Sequence, residues 1–119
     1  MNLTQLIERI KQHPDYPRVG MILCHNGVVR STSRDGRQVS GLRIVVDQEK
    51  LQQVIDAHKS RDGIMEILVH INADMDLKVG EDVMFIVVAG DIRENVISAL
   101  EDTLNTIKAT VTQKTQYFV

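Results

Sequence analysis

The pattern of apolar and polar positions along the chain predicts three helices and five strands. Three segments carry apolar residues at three- and four-residue spacing, which is typical of helices that pack one face on a core. These helical segments are 2–12, 47–59 and 91–108. Alternating or continuous apolar runs, typical of strands, occupy 19–30, 38–47, 64–72, 83–89 and 109–119. The predicted order is therefore α-β-β-α-β-β-α-β.

This order favours an α+β fold in which the helices pack on one mostly antiparallel sheet. Residues 1–119 are predicted to form a single domain. The continuous apolar run at 83–89 predicts an interior strand. Asp35 and Gly36 predict a tight turn that pairs the first two strands as a hairpin, and Gly27 predicts a bulge in the first strand. From the pattern alone, a ferredoxin-like sandwich is the alternative arrangement.

The third predicted helix and the strand after it carry the residues on which a functional hypothesis depends. Asp91 stands at the expected N-cap, and Glu94 three residues later completes a predicted capping box. Lys108 closes the last turn of this helix, Lys114 lies in the following strand, and Arg93 lies near the other end of the helix. The predicted apolar stripe consists of Val96, Ile97, Leu100, Leu104 and Ile107.

Composition and charge narrow the functional classes. A net charge of −2 and an aromatic content of 3% disfavour a nucleic-acid-binding protein. The single cysteine, Cys24, excludes an intramolecular disulfide and fits a reducing compartment. No apolar run approaches the roughly 20 residues of a membrane span, and the charged N-terminal segment does not resemble a signal peptide. We therefore expect a cytoplasmic protein with no nucleic-acid or membrane partner.

Common catalytic and metal-binding signatures are absent. The sequence contains no phosphate-binding glycine loop, no G-x-S-x-G, no H-E-x-x-H and no C-x-x-C. The histidines lack metal-ligand spacing, so we predict no metal site and no cofactor, with His58 and His70 as packed side chains. Asp74 and Asp76 lack the remaining ligands of a calcium loop and are predicted to be solvated.

Two groups of basic residues remain as candidate chemistry. Arg30, Arg34, Arg37 and Arg43 surround the predicted turn between the first two strands. Guanidinium groups bind phosphate oxygens in a bidentate manner, so this group predicts an anion site, although a solvated hairpin with ion pairs is the alternative.

The second group is the lysine pair at the junction between the third helix and the last strand. Two ammonium groups that are held close and partly desolvated are easier to deprotonate, so Lys108 and Lys114 are candidate acids, bases or nucleophiles. The structural alternative is that Lys108 offsets the helix dipole and Lys114 protects an edge strand from association.

Short motifs follow one another along the chain in a characteristic order. Gly27–Arg30 reads G-V-V-R, Val79–Asp82 reads V-G-E-D, and Asp91–Arg93 reads D-I-R. Ile107–Lys108 then reads I-K, and a second lysine follows at Lys114. In these motifs the chain resembles the large (catalytic) subunit family of molybdopterin synthase, with its G-x-V-R-x-x-N, A-H-R and L-K-x-x-x-P-x-W-K-x-E segments.

The resemblance implies an α/β-hammerhead-like fold and a sulfurtransferase of molybdenum cofactor biosynthesis. Members of that family form a homodimer that binds two copies of a small ubiquitin-like subunit, giving a heterotetramer. The C-terminal thiocarboxylate of the small subunit supplies sulfur to cyclic pyranopterin monophosphate, a pterin phosphate substrate.

The resemblance also assigns roles to residues of this chain. Lys108 and Lys114 would be the reactive pair, Arg30 would hold an anion, and Arg93 would grip substrate phosphate. Arg34 of the predicted hairpin is a further candidate anion-binding residue, from the arginine group alone. A helix rises about 1.5 Å per residue, so Arg93 lies roughly 22 Å from Lys108 along the axis. We therefore expect the second copy of a homodimer to supply Arg93 to the lysine site.

The sequence differs from the family motifs at several positions, and these differences are consistent with a second class of function. Ile92 stands where the family has histidine, and Val111–Gln113 replace the proline and tryptophan before the second lysine. The alternative function is a non-catalytic binding or oligomerisation module that keeps only the family scaffold.

Overall fold

Two three-stranded antiparallel sheets and three helices make up the computed structural model, which describes residues 1–119. In chain order the elements are α1 (Leu3–Lys11), a 3₁₀ turn (Tyr16–Arg18), β1 (Met21–Val28), β2 (Val39–Val46), α2 (Gln48–Lys59), β3 (Ile64–Ile71), β4 (Leu77–Lys78), β5 (Asp82–Gly90), α3 (Arg93–Thr106), a π-helical turn (Ile107–Val111) and β6 (Thr112–Phe118). The predicted order is thus confirmed, with the two-residue β4 added in a segment predicted to be a loop.

The first sheet has the strand order β1-β5-β3, with β5 at its centre. Alternate side chains of β5 point to opposite faces, and both faces are covered. One set, Met84, Ile86 and Val88, packs with α2 and α3. The other set, Phe85, Val87 and Ala89, packs with Leu6 and Ile10 of α1. Because helices cover both faces, β5 is apolar throughout, and the predicted interior strand is confirmed.

The second sheet has the order β4-β2-β6. It is stabilised by a smaller core that consists of Val29, Leu42, Ile44 and Leu77. β6 pairs only with β2, so its other edge is free of strand partners. The expectation of one continuous sheet was therefore wrong, because β2 joins β4 and β6 and leaves the first sheet entirely.

The predicted hairpin between β1 and β2 was also wrong. β1 pairs with β5 along its whole length, with the predicted irregularity between Gly27 and Val28. Directly after β1, the backbone N–H of Val29 donates to Glu81 O at 2.9 Å, and the N–H of Gly80 donates to Val29 O at 2.9 Å. These two bonds direct the chain away from the first sheet, so the turn that follows cannot return β2 alongside β1.

The third helix departs from its predicted boundary and face. Gly90 is still paired within the first sheet, so α3 begins only at Arg93, with Ile92 as its N-cap. The Asp91 carboxylate accepts from Ile92 N and from Asn95 Nδ2, so the predicted capping box does not form. The buried stripe consists of Val96, Ala99, Thr103 and Ile107. Ile97, predicted to be part of the stripe, is 46% exposed, because small Ala99 and Thr103 let the helix approach β5 on a different face.

The other predicted side chains fall where the sequence indicated. Asp47 caps α2 by accepting from Lys50 N at 3.1 Å. His58 Nδ1 lies 2.8 Å from Val54 O, and the His70 ring stacks on Phe85 with centroids 6.2 Å apart. Both histidines are therefore packed side chains, as predicted.

The molecule is elongated, with extents of 48 × 25 × 23 Å. Only 24 of its 119 residues are buried, because the second sheet extends beyond the helices that cover the first. None of the helices combines the length and the apolar character needed to cross a bilayer.

Candidate anion-binding cleft

One face of β2 and β6 forms the floor of a cleft. Strand side chains alternate between faces, so Thr112, Lys114 and Gln116 of β6 share the face of Leu42 and Ile44 of β2. Leu42 and Ile44 are buried, and Lys114 is paired in register with Ile44. An apolar floor therefore carries a lysine at its surface.

The segment 30–38 forms one wall of the cleft and is held in place by hydrogen bonds between its own residues. Arg30 Nε donates to Thr32 O at 2.8 Å, and the Ser33 hydroxyl bonds the Asp35 carboxylate. Gly36 has φ +86°, a left-handed conformation that glycine adopts without strain. The Arg37 guanidinium lies 3.2 Å from Asp35 Oδ2 and 3.7 Å from the ring centroid of Phe118. The predicted tight turn is thus present, but it braces a wall of the cleft rather than a strand hairpin.

Lys108 is positioned by the π-helical turn after α3. The hydroxyls of Thr106 and Thr110 each donate to the carbonyl four residues back, at 2.7 and 2.8 Å, which competes with regular helix bonding. Ile107 and Val111 are buried and anchor the turn, and Lys108 between them is exposed. Such turns are rare and are frequently found at functional sites.

The cleft has an outer and an inner pocket that share Val28, Arg34, Leu42, Lys108 and Lys114. The outer pocket has a volume of about 770 Å³ and is lined by five cationic side chains and one carboxylate, namely Arg30, Arg34, Arg37, Lys108, Lys114 and Asp35. The inner pocket has a volume of about 400 Å³ and adds His25, Gly27, Ile44, Ile71, Val83, Met84 and Thr112. The polar mouth thus leads to a mostly apolar interior.

Four of the five predicted site residues meet in this cleft. Lys108, Lys114, Arg30 and Arg34 all line the outer pocket. None of the four takes part in an ion pair with Asp or Glu. A cleft with four unpaired cations, one of them an arginine held by a backbone carbonyl, is suited to binding an anion.

The fifth residue, Arg93, is not brought to the cleft within one chain. It lies at the start of α3, its side chain is 78% exposed, and its Nε is 3.3 Å from Glu94 Oε1. Arg43 is also outside, because strand alternation directs it to the opposite face of β2, where it lies 3.3 Å from Asp76 Oδ1. Hydrogen bonds from Tyr117 and Arg43 hold the pKa of Asp76 below its usual range.

Sequence reasoning missed His25. Its imidazole lines the inner pocket beside Lys108, and burial, followed by the charge of Lys108, lowers the pKa of His25. His25 and Lys108 come together only because distant segments of the chain pair, and residue spacing within one segment does not reveal such pairing. The one available signal was alternation, since His25 stands two residues before Gly27 on the same face of β1.

Comparison with known proteins identifies the family. The model of the MoaE protein family matches residues 1–110, most of the chain. The chain belongs to the MoaE family. The probable molybdopterin synthase of Haloferax volcanii is 27% identical over 113 residues, which cover 91% of this MoaE-family chain and 43% of that protein. The chain therefore spans less than half the length of that relative.

Solved structures share the MoaE-family fold over the entire chain. Molybdopterin synthase from Staphylococcus aureus matches with a TM-score of 0.81 at 19% identity, covering 100% of this chain and 86% of that one. Molybdopterin cofactor biosynthesis protein E from Burkholderia multivorans gives 0.77 at 16%, covering 100% and 84%. A complex of subunits 1 and 2 of molybdopterin-converting factor from Helicobacter pylori gives 0.72 at 15%, covering 100% and 84%.

These matches confirm the resemblance to molybdopterin synthase large subunits and the α+β fold class. Helices with antiparallel sheets, as predicted, are the architecture of the neighbours. The ferredoxin-like alternative is excluded, because its strands form one sheet and this chain has two.

Proposed function

We propose that this chain is the large subunit of a molybdopterin synthase. It transfers sulfur from the C-terminal thiocarboxylate of a small ubiquitin-like subunit to cyclic pyranopterin monophosphate. The observation that carries the proposal is the convergence of Lys108 and Lys114 with Arg30 and Arg34 in one cleft of a MoaE-family protein.

The charges of the cleft match both reactants. A thiocarboxylate and a phosphate are anions, and four cationic side chains of the cleft have no acidic partner to neutralise them. Lys108 and Lys114 lie where the outer pocket passes into the inner one. There their ammonium groups stabilise negative charge that develops on the thiocarboxylate carbonyl oxygen when its carbon is attacked.

The second sheet supports the proposed partners. β6 has a free edge beside the cleft, so an extended C-terminal tail of a small subunit can lie along it. The Helicobacter pylori neighbour is itself a complex of two molybdopterin-converting subunits. A homodimer is the other proposed assembly, because Arg93 lies outside the cleft of its own chain.

Arg93 completes the site only in such a homodimer. It is about 22 Å from Lys108 along the helix axis, and a small substrate cannot span that distance within one chain. Arg93 of one copy therefore holds the substrate phosphate at the lysine pair of the other.

The second candidate function is a non-catalytic binding or oligomerisation module. Ile92 favours it, because this apolar residue is 54% exposed and caps α3 without a side-chain hydrogen bond, beside the arginine proposed to hold phosphate. This alternative predicts no turnover and no effect of the lysine substitutions beyond stability.

The test is conversion of cyclic pyranopterin monophosphate by the purified protein and a thiocarboxylated small subunit. We expect product from the wild type and a loss of at least about 100-fold with Lys108→Ala, because an electrostatic contact to the developing charge is removed. Lys50→Ala, at an exposed position of α2, is the matched control and should retain wild-type turnover. Normal turnover by Lys108→Ala would exclude the lysine from the reaction, and absence of turnover by the wild type would favour the module.

A further inference from the structure

His25 differs from the other three histidines of the chain. His13 Nδ1 accepts from Asp15 N, His58 Nδ1 lies at hydrogen-bond distance from Val54 O, and His70 Nε2 lies at that distance from Asn72 Oδ1. His25 has no hydrogen-bond partner within the protein, although its ring lines the inner pocket. Its nitrogens are therefore available to a molecule in the cleft.

The side chains around His25 favour the neutral imidazole. The charged residues that share its pocket are Arg34, Lys108 and Lys114, and no carboxylate is among them. Burial, and then the positive charge of Lys108, lower the pKa of His25 from its ordinary value of 6.5. At neutral pH the ring is therefore a proton acceptor that is already deprotonated.

The backbone at Gly27 leaves room beside Nε2 of His25. A Cβ atom at position 27 would lie 3.2 Å from Nε2 of His25 and 3.8 Å from Met84 O. Any side chain here would crowd that nitrogen. Glycine keeps the space open for a water molecule or a reactant.

The proposed reaction requires a base at this place. When a thiocarboxylate sulfur displaces an oxygen substituent from a pterin carbon, the sulfur is attached both to that carbon and to the acyl carbon of the small subunit. Water must then cleave the acyl carbon–sulfur bond to release the small subunit. Lys108 and Lys114 stabilise the acyl oxygen in this step, and as cations they cannot accept the proton of the water.

We propose that His25 is the general base that activates the water for this hydrolysis, an inference that rests on the proposed sulfur transfer. The water oxygen bonds to the acyl carbon while its proton passes to Nε2 of His25. The acyl carbon–sulfur bond then breaks, and its electron pair stays on the sulfur as a pterin thiolate. The small subunit leaves as a carboxylic acid, and the imidazolium returns its proton to solvent.

A single-turnover experiment separates this step from sulfur transfer. The complex with thiocarboxylated small subunit is mixed with cyclic pyranopterin monophosphate, and intact-mass spectrometry follows the covalent small-subunit–pterin adduct. His25→Phe should accumulate the adduct and release the small subunit about 10²–10⁴-fold more slowly, the usual contribution of a general base. His58→Gln, in α2 outside the cleft, is the matched control and should behave as wild type.

The pH profile distinguishes a base from a packing residue. In the wild type, release should slow as the pH falls below 6.5 and His25 becomes protonated, and His25→Gln should lack this acid limb. Release by His25→Phe within threefold of wild type, without adduct, would overturn the inference and leave the proposed function standing. Failure of the wild type to form any adduct would overturn both.

An NMR titration tests the geometry without turnover. Lys108→Met should raise the pKa of the His25 imidazole, because one of the two causes of its lowering is removed. An unchanged pKa in the folded variant would mean that Lys108 does not face His25, and the inference would fail.

Discussion

Arg34 and Arg43 carry the same charge nine positions apart but have different surroundings. Arg34 lines both pockets of the cleft and has no ion pair. Arg43 lies on the opposite face of β2 and contacts Asp76 Oδ1 at 3.3 Å and Asp74 O at 2.9 Å. Arg34 is thus free to bind an anion, whereas Arg43 is already satisfied within the protein.

We predict that Arg34→Gln weakens the binding of inorganic pyrophosphate about tenfold, equivalent to roughly 1.4 kcal/mol. Arg43→Gln removes the same charge and is the matched control, with affinity expected within twofold of wild type. Isothermal titration calorimetry at two ionic strengths measures both, and the wild-type affinity should fall as salt rises. Equal losses in the two variants would mean that net charge, rather than the cleft, determines binding.

At this scale the sequence revealed some of the site. Lys108 and Lys114 were predicted to lie together because they flank one helix-to-strand junction, a local relation. The partners of Arg37 and His25 were not predictable, because Phe118 and Lys108 come from segments about 80 residues away and reach them only through sheet pairing.

The π-helical turn is the element on which the position of Lys108 depends. Ile107, the first residue of this turn, is fully buried in the core beneath α3, whereas Ile97, ten positions earlier in α3, is 46% exposed. Ile107→Ala should lower the free energy of unfolding by about 2–5 kcal/mol because it leaves a core cavity. Ile97→Ala should lower it by less than about 1 kcal/mol.

Chemical denaturation measures this difference between the two isoleucines. Ile107→Ala should also reduce anion affinity, since a loosened turn no longer fixes Lys108. Similar losses in the free energy of unfolding of the two variants would contradict the burial pattern of α3. They would indicate that Ile97 is packed, as the sequence predicted.

The elements themselves were more predictable than their pairing. Local periodicity located the helices and the main strands, because each is determined by which faces are apolar. Strand partners are determined by long-range contacts. The turn at Gly36 favoured a hairpin, but the backbone bonds of Val29 to Glu81 and Gly80 sent β2 into a separate sheet.

At the scale of the whole molecule, the proposed site is incomplete in one chain. Lys108 and Arg93 lie near opposite ends of the α3 segment, and only the lysine reaches the cleft. The elongated shape and the free edge of β6 leave much of the surface open to a second copy and a small subunit. The central claim is therefore that each active site takes its lysines from one copy and Arg93 from the other.

Complementation between two inactive variants tests this claim most directly. Lys108→Ala and Arg93→Ala chains are co-expressed with different affinity tags, and conversion of cyclic pyranopterin monophosphate is measured with thiocarboxylated small subunit. Each variant alone should be inactive, and the mixture should recover about a quarter of wild-type turnover, because half of randomly formed dimers are mixed and each has one intact site. A mixture no more active than the separate variants, or full activity of Arg93→Ala alone, would contradict the shared site.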